Sequence, residues 1–248
     1  MFIDVHAHLD LDVFTDLNDV IMRAEKAGVF KIISAGTDLK SNKKTLAIAT
    51  EYNIIDASLG IYPLDGIKMN DEEFEQNLEF IKKYSKKIVA LGDVGLDYSD
   101  KNYIDKQKGQ FTRIIELAKK LNLPMIIHSR KAEEDVIDLL EKFNMKKIIM
   151  HSFSGNFKLV KKIEDNNWFF SIPCSVAYST HFQKIVENIS IMQLLTETDS
   201  PFLSRIKGER NEPMNVIYTT EEIAKIKQLD KNEVKKLIFM NYKNLFAK

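Results

Sequence analysis

The sequence predicts an α/β fold, a (β/α)8 TIM barrel with extra C-terminal helices, on three observations. Short β-branched runs recur eight times, amphipathic segments of helical spacing lie between them, and acids and imidazoles gather where the runs end. The runs are Phe2 to His6, Phe30 to Gly36, Ile54 to Gly60, Ile88 to Val94, Met125 to His128, Ile148 to His151, Trp168 to Ile172 and Leu194 to Asp199. Between the fourth and fifth runs, Gln110 to Leu121 puts Phe111, Ile114, Ile115, Ala118 and Leu121 on one helical face, with Arg113 and Lys120 off it. Such alternation argues for parallel strands; a doubly wound open sheet is the competing architecture. Beyond the eighth run, Thr220 to Lys227 and Asp230 to Phe246 read as two further helices on the barrel exterior, with Asp230 as N-cap and Glu233 completing a capping-box-like pair.

With 9 Gly and 5 Pro scattered over 248 residues, no linker, repeat or low-complexity tract divides the chain, so residues 1–248 are expected to form a single domain. Lys plus Arg and Asp plus Glu number 36 each; this zero balance gives no bulk electrostatic argument for a polyanionic partner, though a local basic patch stays open. The single cysteine, Cys174, rules out an intrachain disulfide framework and fits a reducing compartment. No apolar run reaches the roughly 18 residues of a membrane span, and MFIDVHAHLD lacks the basic start of a signal peptide. The cytoplasm is the expected location.

Barrel active sites are built at the C-terminal ends of the strands, and the chemistry of this chain collects there. His6 and His8 end the first run, Asp93 the fourth, His128 the fifth, His151 the sixth and Asp199 the eighth. Residues two apart on a strand share a face, so His6 and His8 can reach one cation, and Asp4 aligns with them if the run stays extended. Imidazole together with carboxylate suits Zn, Mn, Fe or Ni, whereas an oxygen-only set would be expected for Mg or Ca. Six candidate ligands exceed the three of a usual single catalytic zinc, so a two-metal site with a bridging carboxylate is the natural reading. Such a pair activates a water, and Asp199 is placed to orient that water or take its proton.

Six segments now carry a resemblance: Asp4-Val-His6-Ala-His8-Leu-Asp10, GDVGLDY (Gly92 to Tyr98), LPMIIHSR (Leu123 to Arg130), HSFSG (His151 to Gly155), TETDSPFL (Thr196 to Leu203) and RNEP (Arg210 to Pro213). Together, and in this order over nearly the whole chain, they resemble the TatD-related deoxyribonuclease family of amidohydrolase-like, metal-dependent hydrolases. The resemblance implies a (β/α)8 barrel with two divalent cations (Mg, Mn or Zn), one on His6, His8 and Asp199, the other on His128 and His151, with Asp93 bridging. It also implies metal-dependent hydrolysis of DNA phosphodiester bonds in the 3′ to 5′ direction, on single strands or 3′ ends; the lack of a long apolar run leads to no expected membrane partner. Two positions depart from the family pattern: Asp93 stands where the family usually has Glu, and Gly60-Ile61-Tyr62-Pro63 where it usually has a GxHP segment. Asp93 reaches about 1.5 Å less far than Glu would, and Tyr62 keeps a hydroxyl donor but loses a group that titrates near neutrality.

Arg130 offers phosphate a guanidinium fork, against the competing role of an ion pair to Glu133 or Glu134. Lys207, Arg210 and Asn211 lie in the loop after Asp199, where backbone phosphates are contacted; a merely solvated loop is the alternative. The candidate substrate-binding residues are therefore Tyr62, Arg130, Arg210 and Asn211. Ser152 and Ser154 resemble small polar groups near a phosphate site, Gly155 serves the turn, His181 reads as structural, and Cys174 as a buried small hydrophobe. Phe14, Trp168 and Phe202 are core residues or stack on bases. Beside the nuclease, two other classes fit the motifs: a hydrolase of a carboxylic ester or amide, such as misaminoacylated tRNA, and a non-catalytic metal-binding barrel.

Overall fold

The computed structural model describes residues 1–246. Eight strands run in the order β1 (Phe2–Ala7), β2 (Val29–Ala35), β3 (Ile55–Leu59), β4 (Ala90–Asp97), β5 (Met125–Arg130), β6 (Ile148–His151), β7 (Phe169–Ile172) and β8 (Leu194–Thr196), neighbours in sequence being neighbours in the sheet. Helices α1 (Leu17–Lys26), α2 (Leu39–Glu51), α3 (Pro63–Gly66), α4 (Asp71–Tyr84), α5 (Ile104–Leu121), α6 (Glu133–Lys142), α7 (Phe157–Asp165) and α8 (Thr180–Asn188) alternate with them. Two more, α9 (Val216–Lys227) and α10 (Lys231–Phe246), follow β8. The fold is a (β/α)8 barrel with C-terminal helices, as the alternation of runs predicts.

The chain forms two compact units. The first comprises Met1–Ser34, Ile48–Asp56 and the chain from Phe169 onward. In it β8 joins β1: the Thr196 hydroxyl donates to Ile3 O (2.6 Å), and the amides of Asp199 and His8 donate to His6 O and Ser200 O (2.8 Å each). Helix α1 lays Val20, Ile21 and Ala24 against Val29 and Ile32 of β2 and Leu9, a buried cluster in which each Val, Ile or Leu side chain contributes roughly 1.5–3 kcal/mol of transfer free energy. Asp230 caps α10 through Oδ1, which accepts from the amides of Asn232 and Glu233 at 2.9 and 3.3 Å. The reciprocal capping box is found instead at Asn70 and Glu73, at the start of α4.

The second unit comprises Ala35–Ala47 and Ala57–Trp168 and holds the paired strands β4, β5 and β6. The predicted face of α5 is buried at Phe111, Ile114, Ile115 and Ala118, with Leu121 half-buried at its end. β4 departs from the sequence reading. It runs past Val94 to Asp97, so Asp93 lies within the strand and the strand-end acid is Asp97. The reason is Gly95: at φ +147° it sits so close to β5 that a Cβ there would lie 1.9 Å from His128 O. That glycine continues a strand which its residue type suggests should stop. β8 is correspondingly shorter than its run, ending at Thr196 and leaving Asp199 in the loop.

Candidate metal centre and active site

In the first unit His6, His8 and Asp199 are all buried and turn their polar atoms to one point. His6 Nε2 and His8 Nε2 are 3.1 Å apart, and Asp199 Oδ1 lies 3.6 and 3.5 Å from them. The strand repeat of two gives the imidazoles their common face. The β1–β8 backbone bonds fix the carboxylate, carried by a residue in the left-handed region at φ +52°, which Asp tolerates better than most side chains. Asp4 does not join them. Its carboxylate accepts from the Thr198 hydroxyl (2.6 Å) and the amides of Thr198 (2.9 Å) and His6 (3.3 Å), so it holds the turn before Asp199. Burial outweighs those bonds and pushes its carboxyl up to about 8.

In the second unit the meeting point is a carboxylate that the motif reading passed over. Asp97 is fully buried, and its Oδ2 takes the Tyr62 hydroxyl at 2.9 Å and faces His128 Nε2 at 3.1 Å. The hydroxyl lies 3.5 Å from that same nitrogen. Asp97 cannot turn away: Oδ1 accepts from the Ser99 amide (2.9 Å), and Gln107 bonds both its N–H and its C=O (2.8 Å each). Burial alone would raise its carboxyl, but the hydrogen bonds from His128, Ser99 and Tyr62 hold it well below the usual carboxylate range. Burial, followed by the Asp97 charge, drives the Tyr62 phenol far above its ordinary value, so it remains a donor. The rings of His128 and His151 lie 6.3 Å apart at 29°. Asp93 is 3% exposed, and its Oδ1 has no hydrogen-bond partner among the described residues.

The remaining candidates divide. Arg130 is exposed at the end of β5 and makes no ion pair among the described residues; Glu133 instead accepts the Ser154 hydroxyl (2.9 Å). Arg210 is engaged elsewhere, gripping both oxygens of Asp16 at 2.6 and 2.9 Å and Val13 O at 3.1 Å. Asn211 is fully buried; its Nδ2 donates to Thr198 O (2.7 Å) and its Oδ1 accepts from Glu212 and Asn215. These two residues hold the loop that carries Asp199. Cys174 is the small buried group expected, its thiol pushed up to about 12 by burial. Phe14 and Trp168 are core, the Trp168 indole donating to Met145 O at 2.9 Å, whereas Phe202 is 54% exposed. Asp97 lies inside the GDVGLDY segment, which by itself assigns it no role; its signal is an acid two residues beyond Gly95, in a run whose alternation continues through Leu96.

A family profile described as TatD related DNase matches residues 3–247. The chain belongs to the TatD family. A metal-dependent hydrolase of Methanocaldococcus jannaschii is 36% identical over all of this chain and 97% of its own length. The human protein named deoxyribonuclease TATDN3 is 32% identical, over 99% of this chain and 94% of its own. Among solved structures, the TatD homologue YJJV of Escherichia coli superposes with a TM-score of 0.93 at 26% identity, covering 100% of this chain and 98% of that one. This TatD-family chain is thus a metal-dependent hydrolase. None of its described helices is long and apolar enough to cross a membrane.

Proposed function

We propose that this TatD-family hydrolase is a deoxyribonuclease, a single catalytic domain over residues 1–248 working in the cytoplasm and removing nucleotides from the 3′ ends of single-stranded DNA. The observation that carries the reading is the convergence of His6 Nε2, His8 Nε2 and Asp199 Oδ1 within 3.6 Å of one another, all on buried residues. Two imidazoles and a carboxylate are the donor set of a hydrolytic cation, and the partnerless buried Asp93 Oδ1 supplies an oxygen that a cation would satisfy. The donor set fits Mn or Zn, and the family resemblance adds Mg: His6, His8 and Asp199 would hold one ion, and Asp93, His128 and His151 the other. The human relative's name supports DNA as the substrate.

A bound cation supplies Lewis acidity to a phosphoryl oxygen and acidifies water. The protein's own groups do the rest. Asp199 accepts the proton of the attacking water. Arg130, exposed at the end of β5, presents its fork to a phosphate. Asp97, locked by Gln107 and Ser99, keeps the His128 ring and the Tyr62 hydroxyl aligned. The test is a short single-stranded DNA with a 3′ label, incubated with protein of measured metal content. Stepwise loss of 3′ nucleotides is expected. Release of an amino acid from charged tRNA with DNA left intact would replace this reading by the carboxylic-ester one.

A further inference from the structure

We propose that Phe202, beside His8 and with Tyr178 and Lys207 on the same loop system, is a stacking subsite for an unpaired nucleobase. The proposal rests on the nuclease reading above and names how that site takes its substrate. Five aromatic side chains are exposed among the described residues: Phe30, Tyr103, Phe157, Tyr178 and Phe202. Only Phe30 lies in a strand; the other four lie in segments that follow strand ends, after β4, β6, β7 and β8. A single exposed apolar side chain is ordinary, but in this fold those segments build the face where substrates bind.

Among these five, Phe202 is the one whose ring lies against a candidate ligand. Its ring centroid is 6.1 Å from that of His8, edge to face, while 54% of the residue stays open to solvent. The loop around it is braced. The Phe202 amide donates to Asp199 O at 2.7 Å and the Asn211 amide to Pro201 O at 2.9 Å, so the ring is offered on a fixed backbone. Tyr178 is tied to that loop by its hydroxyl, which donates to Ser204 O at 3.1 Å, and Lys207 Nζ stands 4.9 Å from the Tyr178 ring centroid. Arg205 stacks nearby on Tyr218 at 3.8 Å. Exposed planar rings interleaved with cations are the means by which proteins hold single strands, the rings taking bases of any sequence and the cations the phosphates. A buried core aromatic cannot do this, and Phe14 and Trp168 are buried.

The probe is a thymidine trinucleotide carrying 2-aminopurine at its 3′ end, titrated with protein in excess chelator so that it is not consumed. Stacking quenches its fluorescence. Saturable quenching is expected with the parent protein, Phe202→Ala and Phe202→Leu should require about fivefold to about 100-fold more protein, and Phe202→Trp should keep the parental curve. Circular dichroism of each variant confirms the fold. Parent protein that leaves the fluorescence unchanged, or Phe202→Ala and Phe202→Leu that titrate as the parent does, overturns the subsite. Adding Mn to the same probe separates the two claims: cleavage without quenching removes the subsite and keeps the nuclease, and quenching without cleavage does the reverse.

Discussion

The His6, His8 and Asp199 cluster and the Tyr62, Asp97 and His128 cluster both stand at strand ends, yet they are built on opposite plans. In the first, three donor atoms converge. In the second, a buried carboxylate is interposed, already bonded to a phenol and facing the imidazole nitrogen that a cation would need. A cation at the first cluster takes up a prepared set; one at His128 Nε2 must displace Asp97 or recruit it. The difference teaches that two sites in one fold can be preorganised for different tasks, the first for holding an ion and the second for holding a ligand's orientation.

The broadest test of that contrast is removal of metal. Chelation is expected to abolish hydrolysis, and Mg or Mn, but no monovalent salt at matched ionic strength, to restore it; turnover that persists after exhaustive dialysis against chelator would refute both clusters as metal sites. Next comes Asp199→Asn, which keeps the shape but neither takes a proton nor ligates well. Its expected loss is at least ~100-fold in kcat, and near-parental kcat would remove Asp199 from the mechanism.

Asp97→Asn addresses the second cluster alone. Calorimetric titration should show one class of cation weakened by about 10–100-fold and the other unaltered; equal weakening of both would erase the difference between the two clusters. Asp93→Glu is a smaller change. If the short side chain bridges loosely, the added methylene tightens the weaker cation several-fold, roughly 1 kcal/mol; if the backbone has already moved to suit Asp, it overpacks and binding is unchanged or weaker.

The smallest effect concerns the loop that carries Asp199. Hydrogen bonds from Arg210 hold the Asp16 carboxyl well below the usual range, opposed by slight burial and aided by Arg23. A depressed carboxylate favours the fold above its unfolded value, about pH 3.9, and that contribution disappears as pH falls through the folded value. Arg210→Ala should therefore lower the melting temperature at pH 7 and converge with the parent in strong acid. A constant gap down to pH 2 would assign the Arg210 effect to packing of its guanidinium on the Phe14 ring, 5.2 Å from the ring centroid and within the roughly 6 Å reach of a cation–π contact.

Much of the molecule is legible without coordinates because periodicity is a local property. Eight β-branched runs and the Phe111, Ile114, Ile115 and Ala118 stripe announce strands and helices wherever the rest of the chain goes. The positions of His6, His8, His128 and His151 at or near strand ends follow from the same reading. Boundaries are less visible. Gly95 reads locally as a breaker, and only the approach of His128 O explains why a glycine is needed to continue β4.

What the sequence determined by itself, then, is the order of elements, the family and the residue types brought to the strand ends, since these depend on side-chain chemistry and spacing. Tertiary structure decided which of those residues meet. It drew Asp4 to Thr198 and away from the imidazoles, engaged Arg210 with Asp16, buried Asn211 beneath the loop and made Asp97 the partner of Tyr62 and His128. Each pairing except the last closes a separation of well over a hundred residues or sets a turn's direction, and the last joins three different strand ends. Hydrogen bonds of that kind are chosen by tertiary packing, where a carboxylate finds the donor that burial places beside it.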